Sequence, residues 1–254
     1  MSEGRVVVHW LTAFVDLPAE SFDPAVEFWQ EVTGTHLSPA RGDHGEFATL
    51  LPADGDAFLR VQRVLDGPGG VHLDLHVDDV GVASYVAVGL GATLVENRGH
   101  RIMRSPAGLT FCLVRHEGES KRPRPHRIEG VGTSRADQVC LDVPAAALSA
   151  EAKFWSTFTG WPYHPASLPE FGVLERPLAM PLRVLLQRLG DDDTRTVASA
   201  HLDLAAGDDV DALAAHHVAL GAELVQAHER WTTLRDPAGL VYCLTHRNPA
   251  TGSL

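Results

Sequence analysis

The chain has 254 residues, 44% hydrophobic and 21% charged, which is enough apolar material for one large domain or two small ones and excludes a disordered chain. Its net charge of −12 excludes a partner that must be held through neutralised phosphates, so no nucleic-acid partner is expected. No stretch approaches the roughly 18–20 consecutive apolar residues that span a bilayer, and Met1 to Trp10 lack a signal-peptide layout, so no membrane partner is expected and the cytoplasm is the expected compartment.

Val6 to Leu17 is mostly apolar and rich in β-branched and aromatic residues, which predicts a strand. Asp23 followed by Pro24 predicts a helix start, Val26, Trp29 and Val32 form its apolar stripe, and Gly34 supplies a left-handed stop. Glu46 to Leu51 and Phe58 to Val64 read as strands around a turn at Pro52-Ala53-Asp54-Gly55-Asp56. After Gly67-Pro68-Gly69-Gly70 the same plan returns: a strand at Val71 to Val77, a helix at Val80 to Leu90 stopped by Gly91, and strands joined at Pro106-Ala107-Gly108. The implied unit is β-α-β-β-β. Glu117 to Thr133 is polar and rich in Pro, Gly and basic residues; in an acidic chain this basic run reads as a solvated linker over the surface. Beyond it, Gln138 to Val143 opens a new copy, in which Ser149 is the expected helix cap, Phe154, Trp155 and Phe158 pack, and Gly160 ends the helix.

The second half answers the first motif by motif. Phe28-Trp29, Thr33-Gly34, Glu46-Phe47, Gln62-Arg63, His72 to Leu75, Leu90-Gly91-Ala92 and Pro106 to Leu109 recur in the same order as Phe154-Trp155, Thr159-Gly160, Glu170-Phe171, Gln187-Arg188, His201 to Leu204, Leu220-Gly221-Ala222 and Pro237 to Leu240. The offset drifts only from 124–126 to 131 residues, as small loop insertions would produce. A tandem duplication follows, with a first module at 5–116, a linker at 117–133 and a second module at 134–247.

Asp16, Phe28, Trp29 and Gly34, then His72, Val77, Asp78 and Asp79, then Leu90-Gly91-Ala92 and Pro106 to Leu109 carry, in this order, a resemblance to the vicinal oxygen chelate superfamily, which includes glyoxalase I, the bleomycin-resistance proteins, the fosfomycin-resistance enzymes and the extradiol dioxygenases. The resemblance implies an α+β fold of four β-α-β-β-β units, whose curved mixed sheets form half-open barrels with helices outside and a cavity within. It also implies where metal-binding relatives place their ligands: His9 on the first strand, Gln62 on the fourth, His72 on the strand opening the second unit, and Cys112 on the last strand, where those relatives carry a glutamate. Cysteine thiolate selects softer ions than a hard divalent site does. In the second copy Arg135 replaces His9, a fixed cation that cannot ligate, beside Gln187, His201 and Cys243. The expectation is no metal in the second module, and at most one divalent ion (Zn, Ni, Fe or Mn) in the first, at His9 and His72.

Alternation along a strand puts His72, Asp74 and His76 on one face and Leu73 and Leu75 on the other. The polar face lines a cavity, meets solvent or forms a buried hydrogen-bonded pair, and His201 and Asp203 repeat the choice. Gln62 and Gln187 either point into a wet pocket or bridge to backbone, since a stranded amide costs about 1–3 kcal/mol. His9 is either a ligand or a surface histidine. Cys112, Cys140 and Cys243 lack close spacing to one another and read as reduced, buried thiols. The Phe-Trp pairs read as helix core, Arg104 and Arg235 as turn anchors, and Trp231 as a pocket-lining residue of the second copy. The function expected is the binding of a small, partly hydrophobic molecule at Gln62, His72, Asp74, Cys112, Gln187, His201, Asp203, Cys243 and Trp231, with a degenerate metal site. The rival is a divalent-metal lyase or isomerase, ahead of a dioxygenase. The linker favours modules that pair within one chain, and hence a monomer over a homodimer.

Overall fold

The computed structural model describes residues 6–253; Arg5, the first residue of the expected first module, lies outside them. Four β-α-β-β-β units succeed one another. The first is β1 (Val8–Pro18), α1 (Phe22–Thr33), β2 (Thr35–Leu37), β3 (Phe47–Pro52) and β4 (Leu59–Val64), and the second is β5 (Gly70–Val77), α2 (Val80–Gly89), β6 (Thr93–Asn97), β7 (Arg101–Arg104) and β8 (Thr110–Arg115). A short β9 (His126–Ile128) precedes the third unit, β10 (Gly132–Val143), α3 (Leu148–Thr159), β11 (Tyr163–Pro165), β12 (Phe171–Leu174) and β13 (Arg183–Arg188). The fourth is β14 (Ser199–Ala205), α4 (Val210–Ala219), β15 (Glu223–Ala227), β16 (Trp231–Arg235) and β17 (Val241–Thr245).

The strands form two curved, mixed, open sheets with one topology, β2-β3-β4-β1-β5-β8-β7-β6 and β11-β12-β13-β10-β14-β17-β16-β15. The parallel pairs β5·β8 and β14·β17 run in matched register, Asp74 opposite Cys112 and Asp203 opposite Cys243. The α+β reading therefore stands. None of the helices among the described residues is long and apolar enough to cross a membrane.

Helix ends show where local rules are overridden. A 3-10 turn at Ala19–Ser21 leads directly into α1, so the helix begins at Phe22 and Asp23 is not its cap. Asp23 instead sits in the first turn, where the helix dipole favours a carboxylate, and pairs with Arg63 at 2.9 Å. Ser149 is likewise inside α3, which starts at Leu148 after its own 3-10 turn. Asp79 does cap α2, accepting from Val82 N–H at 2.9 Å. Gly34 ends α1 at φ 63°, in the left-handed region.

The linker differs from a loose surface tether. Its β9 pairs antiparallel with β10, Lys121 N–H donates to Asp56 at 2.7 Å, and Arg124 pairs with Asp54 at 2.8 Å. The linker thus meets the acidic turn between β3 and β4, through the Lys121 main chain and the Arg124 side chain.

The compact units do not follow the sequence repeat. One contains the chain up to Ala13, His72–Ser120 and Val139–Ala200; the other contains Phe14–Val71, Lys121–Gln138 and the chain from His201 on. Each thus takes its first-type β-α-β-β-β half from one copy and its second-type half from the other. In the first, Phe154, Trp155 and Phe158 of α3 surround Phe111 of β8, with ring centroids 5.1–6.3 Å apart. Glu151 ties this core together, taking the Trp155 indole N–H and the Ala107 N–H at 2.8 Å each. In the second, Phe28 and Trp29 pack on Tyr242, and Trp29 donates to Asp236 at 2.8 Å. Both Phe-Trp pairs are buried, as core residues should be. Arg235 anchors its turn by donating to the Gly239 carbonyl at 3.2 Å.

Candidate functional site

The polar residues of β5 alternate with Leu73 and Leu75, both fully buried, so His72, Asp74 and His76 share the opposite face. His72 Nε2 lies 3.8 Å from Asp74 Oδ1, and Cys112 stands across the parallel pair from Asp74. One donor atom from each of His72, Asp74 and Cys112 lies within 4.8 Å of the others. Alternation along the strand grouped His72 with Asp74 and the family resemblance added Cys112; the β5·β8 register sets Cys112 opposite Asp74.

In the fourth unit His201, Asp203 and Cys243 take the corresponding strand positions. His201 Nε2 is 3.4 Å from Asp203 Oδ1, and Cys243 faces Asp203 across β14·β17. Gln138 of β10 donates to the other Asp203 oxygen at 2.5 Å, while its own carbonyl takes Arg247 Nη1 at 2.8 Å; Arg247 Nη2 bonds Asp137 at 2.6 Å. Burial pushes Asp203 above the usual carboxylate range, against the pull of His201 and Gln138. Burial, with the Asp203 charge, pushes the Cys243 thiol up as well, so it is a thiol rather than a thiolate at neutral pH. Gln138, Asp137 and Arg247 were missed by sequence reasoning, because this network joins residues about 110 positions apart.

The other expected residues fall elsewhere. His9, near the start of β1, pairs with Asp78 at 2.9 Å and stacks on His116 with ring centroids 4.7 Å apart. Thr12 is the β1 residue that meets the β5 polar face, bonding His76 at 2.9 Å. Gln62 stands on β4 opposite Phe47, and Gln187 on β13 opposite Phe171, where it accepts from the Cys140 thiol at 3.7 Å. Trp231 is half-buried on β16 and stacks on His228 at 4.5 Å. Cys112, Cys140 and Cys243 are buried and none forms a disulfide.

A glyoxalase-like domain model matches residues 12–114 and again 138–245. The chain belongs to the glyoxalase-like domain family. No functionally curated protein matches it. Among solved structures, this glyoxalase-like chain is similar to the Mn(II)-bound glyoxalase from Novosphingobium aromaticivorans, at 16% identity and TM-score 0.64, covering 98% of this chain and 85% of that one. It is also similar to 2,2',3-trihydroxybiphenyl 1,2-dioxygenase from Sphingomonas wittichii strain RW1, at 17% identity and TM-score 0.62, covering 99% and 93%. A 4-hydroxymandelate synthase mutant from Streptomyces coelicolor gives 14% identity and TM-score 0.59, covering 98% and 96%. At these identities the likeness is one of fold.

Groups of donors close enough to hold a metal ion exist in the glyoxalase-like chain, and their chemistry separates them. A hard ion such as Mn(II) takes oxygen and imidazole nitrogen. The His72 trio offers sulfur in place of one of these, and in the fourth unit the Asp203 carboxylate is already engaged by Gln138. The His72–Asp74–Cys112 group therefore does not fit a hard-ion centre.

Proposed function

We propose that the chain binds a small, partly apolar molecule against the β5·β8 and β14·β17 faces, with His72 and His201 as the polar anchors. The observation that carries this reading is the graded burial of each trio. The imidazoles of His72 and His201 keep 13% and 11% of their side-chain surface, whereas Asp74 and Asp203 keep 7% and 4%. The carboxylate orients the ring from below, and the ring edge is what a ligand meets. Buried Cys112 and Cys243 supply apolar floor beside it. Such a site suits a neutral ligand carrying a hydroxyl or carbonyl group on an apolar body. Pairing of the two modules within one monomeric chain belongs to the same reading, as does the absence of nucleic-acid and membrane partners.

Native mass spectrometry of the freshly purified protein, and saturation-transfer NMR against a set of small aromatic and phenolic compounds, test it. Compounds that bind the wild type should lose binding in His72→Ala and His201→Ala. Retention of every hit by both variants would refute the reading.

A second reading is favoured by the convergence of His72, Asp74 and Cys112 donors within 4.8 Å in the first module, where Thr12 stands in the place of Gln138 and bonds His76. There a softer divalent ion, when bound, would polarise neighbouring substrate oxygens for loss of an adjacent proton, as in a lyase or isomerase. His72 and Asp74 would hold it with Cys112 as thiolate. Metal uptake abolished by Cys112→Ser would support this alternative over the first.

A further inference from the structure

A second cluster lies beyond the trio, where β5 ends and the chain leaves β8. His76 Nδ1 lies 3.4 Å from Glu119 Oε1, and His116 Nδ1 lies 3.3 Å from Glu119 Oε2. One donor atom from each of the three residues lies within 4.8 Å of the others. His76 is 2% exposed, and its far nitrogen, Nε2, is 2.9 Å from Thr12 Oγ1. With that Nε2–H donated to Thr12, Nδ1 turns a lone pair toward a carboxylate. His116 Nδ1 is buried and makes no hydrogen bond, so a second nitrogen faces the same carboxylate.

From this geometry we propose a metal site made of His76, His116 and Glu119, which takes a borderline divalent transition-metal ion of the zinc class. Ligands held at about 2.0–2.1 Å around a tetrahedral zinc ion are separated from one another by roughly 3.3 Å, the spacing seen here between each imidazole nitrogen and the carboxylate. The donor set is all nitrogen and oxygen, unlike the His72 trio. The Thr12 contact fixes the His76 ring through its second nitrogen, the usual support of a metal-bound histidine, and His9, stacked on His116 and tied to Asp78, holds the other ring.

The other copy shows what this place in the module needs. By strand register His76 corresponds to Ala205, since each faces the position two residues before His116 or Arg247. His116 corresponds to Arg247, and His9 to Arg135. Arg247 is 4% exposed and bonds Asp137 and Gln138. One copy thus carries tethered cations where the other carries three imidazoles and an acid. A bound divalent ion restores the missing positive charge and pins the segment after β8 to β5.

The test uses the full chain, stripped with a chelator and titrated with Zn2+ by calorimetry, then with Co2+ by visible absorption. The expected result is one Zn2+ per chain, with affinity falling at least tenfold in both Glu119→Gln and His116→Gln and unchanged in Cys112→Ser. Co2+ should give ligand-field bands without thiolate charge transfer. Thermal melts verify folding, and if His116→Gln is unstable, Glu119→Gln decides alone. No zinc uptake by the wild type, uptake unchanged in Glu119→Gln, or uptake lost in Cys112→Ser would overturn the assignment. None of these outcomes touches ligand binding at His72 and His201, which is read separately.

Discussion

Trp29 donates its indole N–H to Asp236 at 2.8 Å, although 207 residues separate them. Asp236 is buried, and its carboxylate also takes the N–H groups of Ala238 and Leu240, so one side chain fixes both the turn before β17 and the seat of α1. Trp29→Phe keeps the ring but leaves a buried carboxylate oxygen without its donor. Denaturant unfolding should show a loss of about 1–3 kcal/mol. Trp155→Phe should behave similarly, because Glu151 serves Trp155 in the corresponding place.

His217 gives the fold an acid-sensitive element. It is fully buried against Phe28 and Tyr242, and burial, with some help from His216, pushes its pKa down to about 3. The unfolded chain therefore binds a proton that the folded chain refuses between pH 6.5 and about 3. The stability that His217 contributes is complete above pH 6.5 and falls as pH drops through that window, by up to roughly 1.4 kcal/mol per pH unit. His217→Phe should flatten the pH dependence of the denaturation midpoint over that range.

The buried Arg247–Asp137 pair predicts an asymmetric mutational response. Asp137 has no exposed surface, so Arg247→Met strands a charge and should cost about 3–5 kcal/mol. Arg247→Met combined with Asp137→Asn should recover much of that loss. Equal destabilisation by the single and double variants, measured by thermal unfolding, would contradict the pairing.

Much of this architecture was legible in the residues. The recurring motifs revealed the duplication, Gly34 marked a helix end, and alternation in His72 to His76 separated polar from apolar faces. What escaped was non-local. The resemblance picks out His9 on the first strand, yet β1 runs on to Pro18 and presents Thr12 to His76. The 3-10 turns before α1 and α3 moved both helix starts away from the expected caps, Asp23 and Ser149. Contacts such as Trp29 with Asp236 leave no local pattern, so the exchange of halves between copies was hidden too. Glu119 sits in a segment read as linker, and only folding brings it to His76.

Gly34 offers a backbone test. An added Cβ would lie 2.1 Å from His126 Nδ1, and the left-handed conformation itself costs a non-glycine residue roughly 1–2 kcal/mol. Gly34→Ala should therefore lower stability by more than the backbone cost alone. Adding His126→Ala should return only the steric part, as read from midpoint shifts.

In the proposed function the ring edges of His72 and His201 face a bound small molecule. Two-dimensional NMR of protein with specifically labelled histidine side chains reads it directly, during titration with any aromatic or phenolic compound that binds the wild type. Saturable shifts at His72 and His201, with His217 unmoved, are the predicted result. Binding that leaves both of those rings unperturbed would contradict the account.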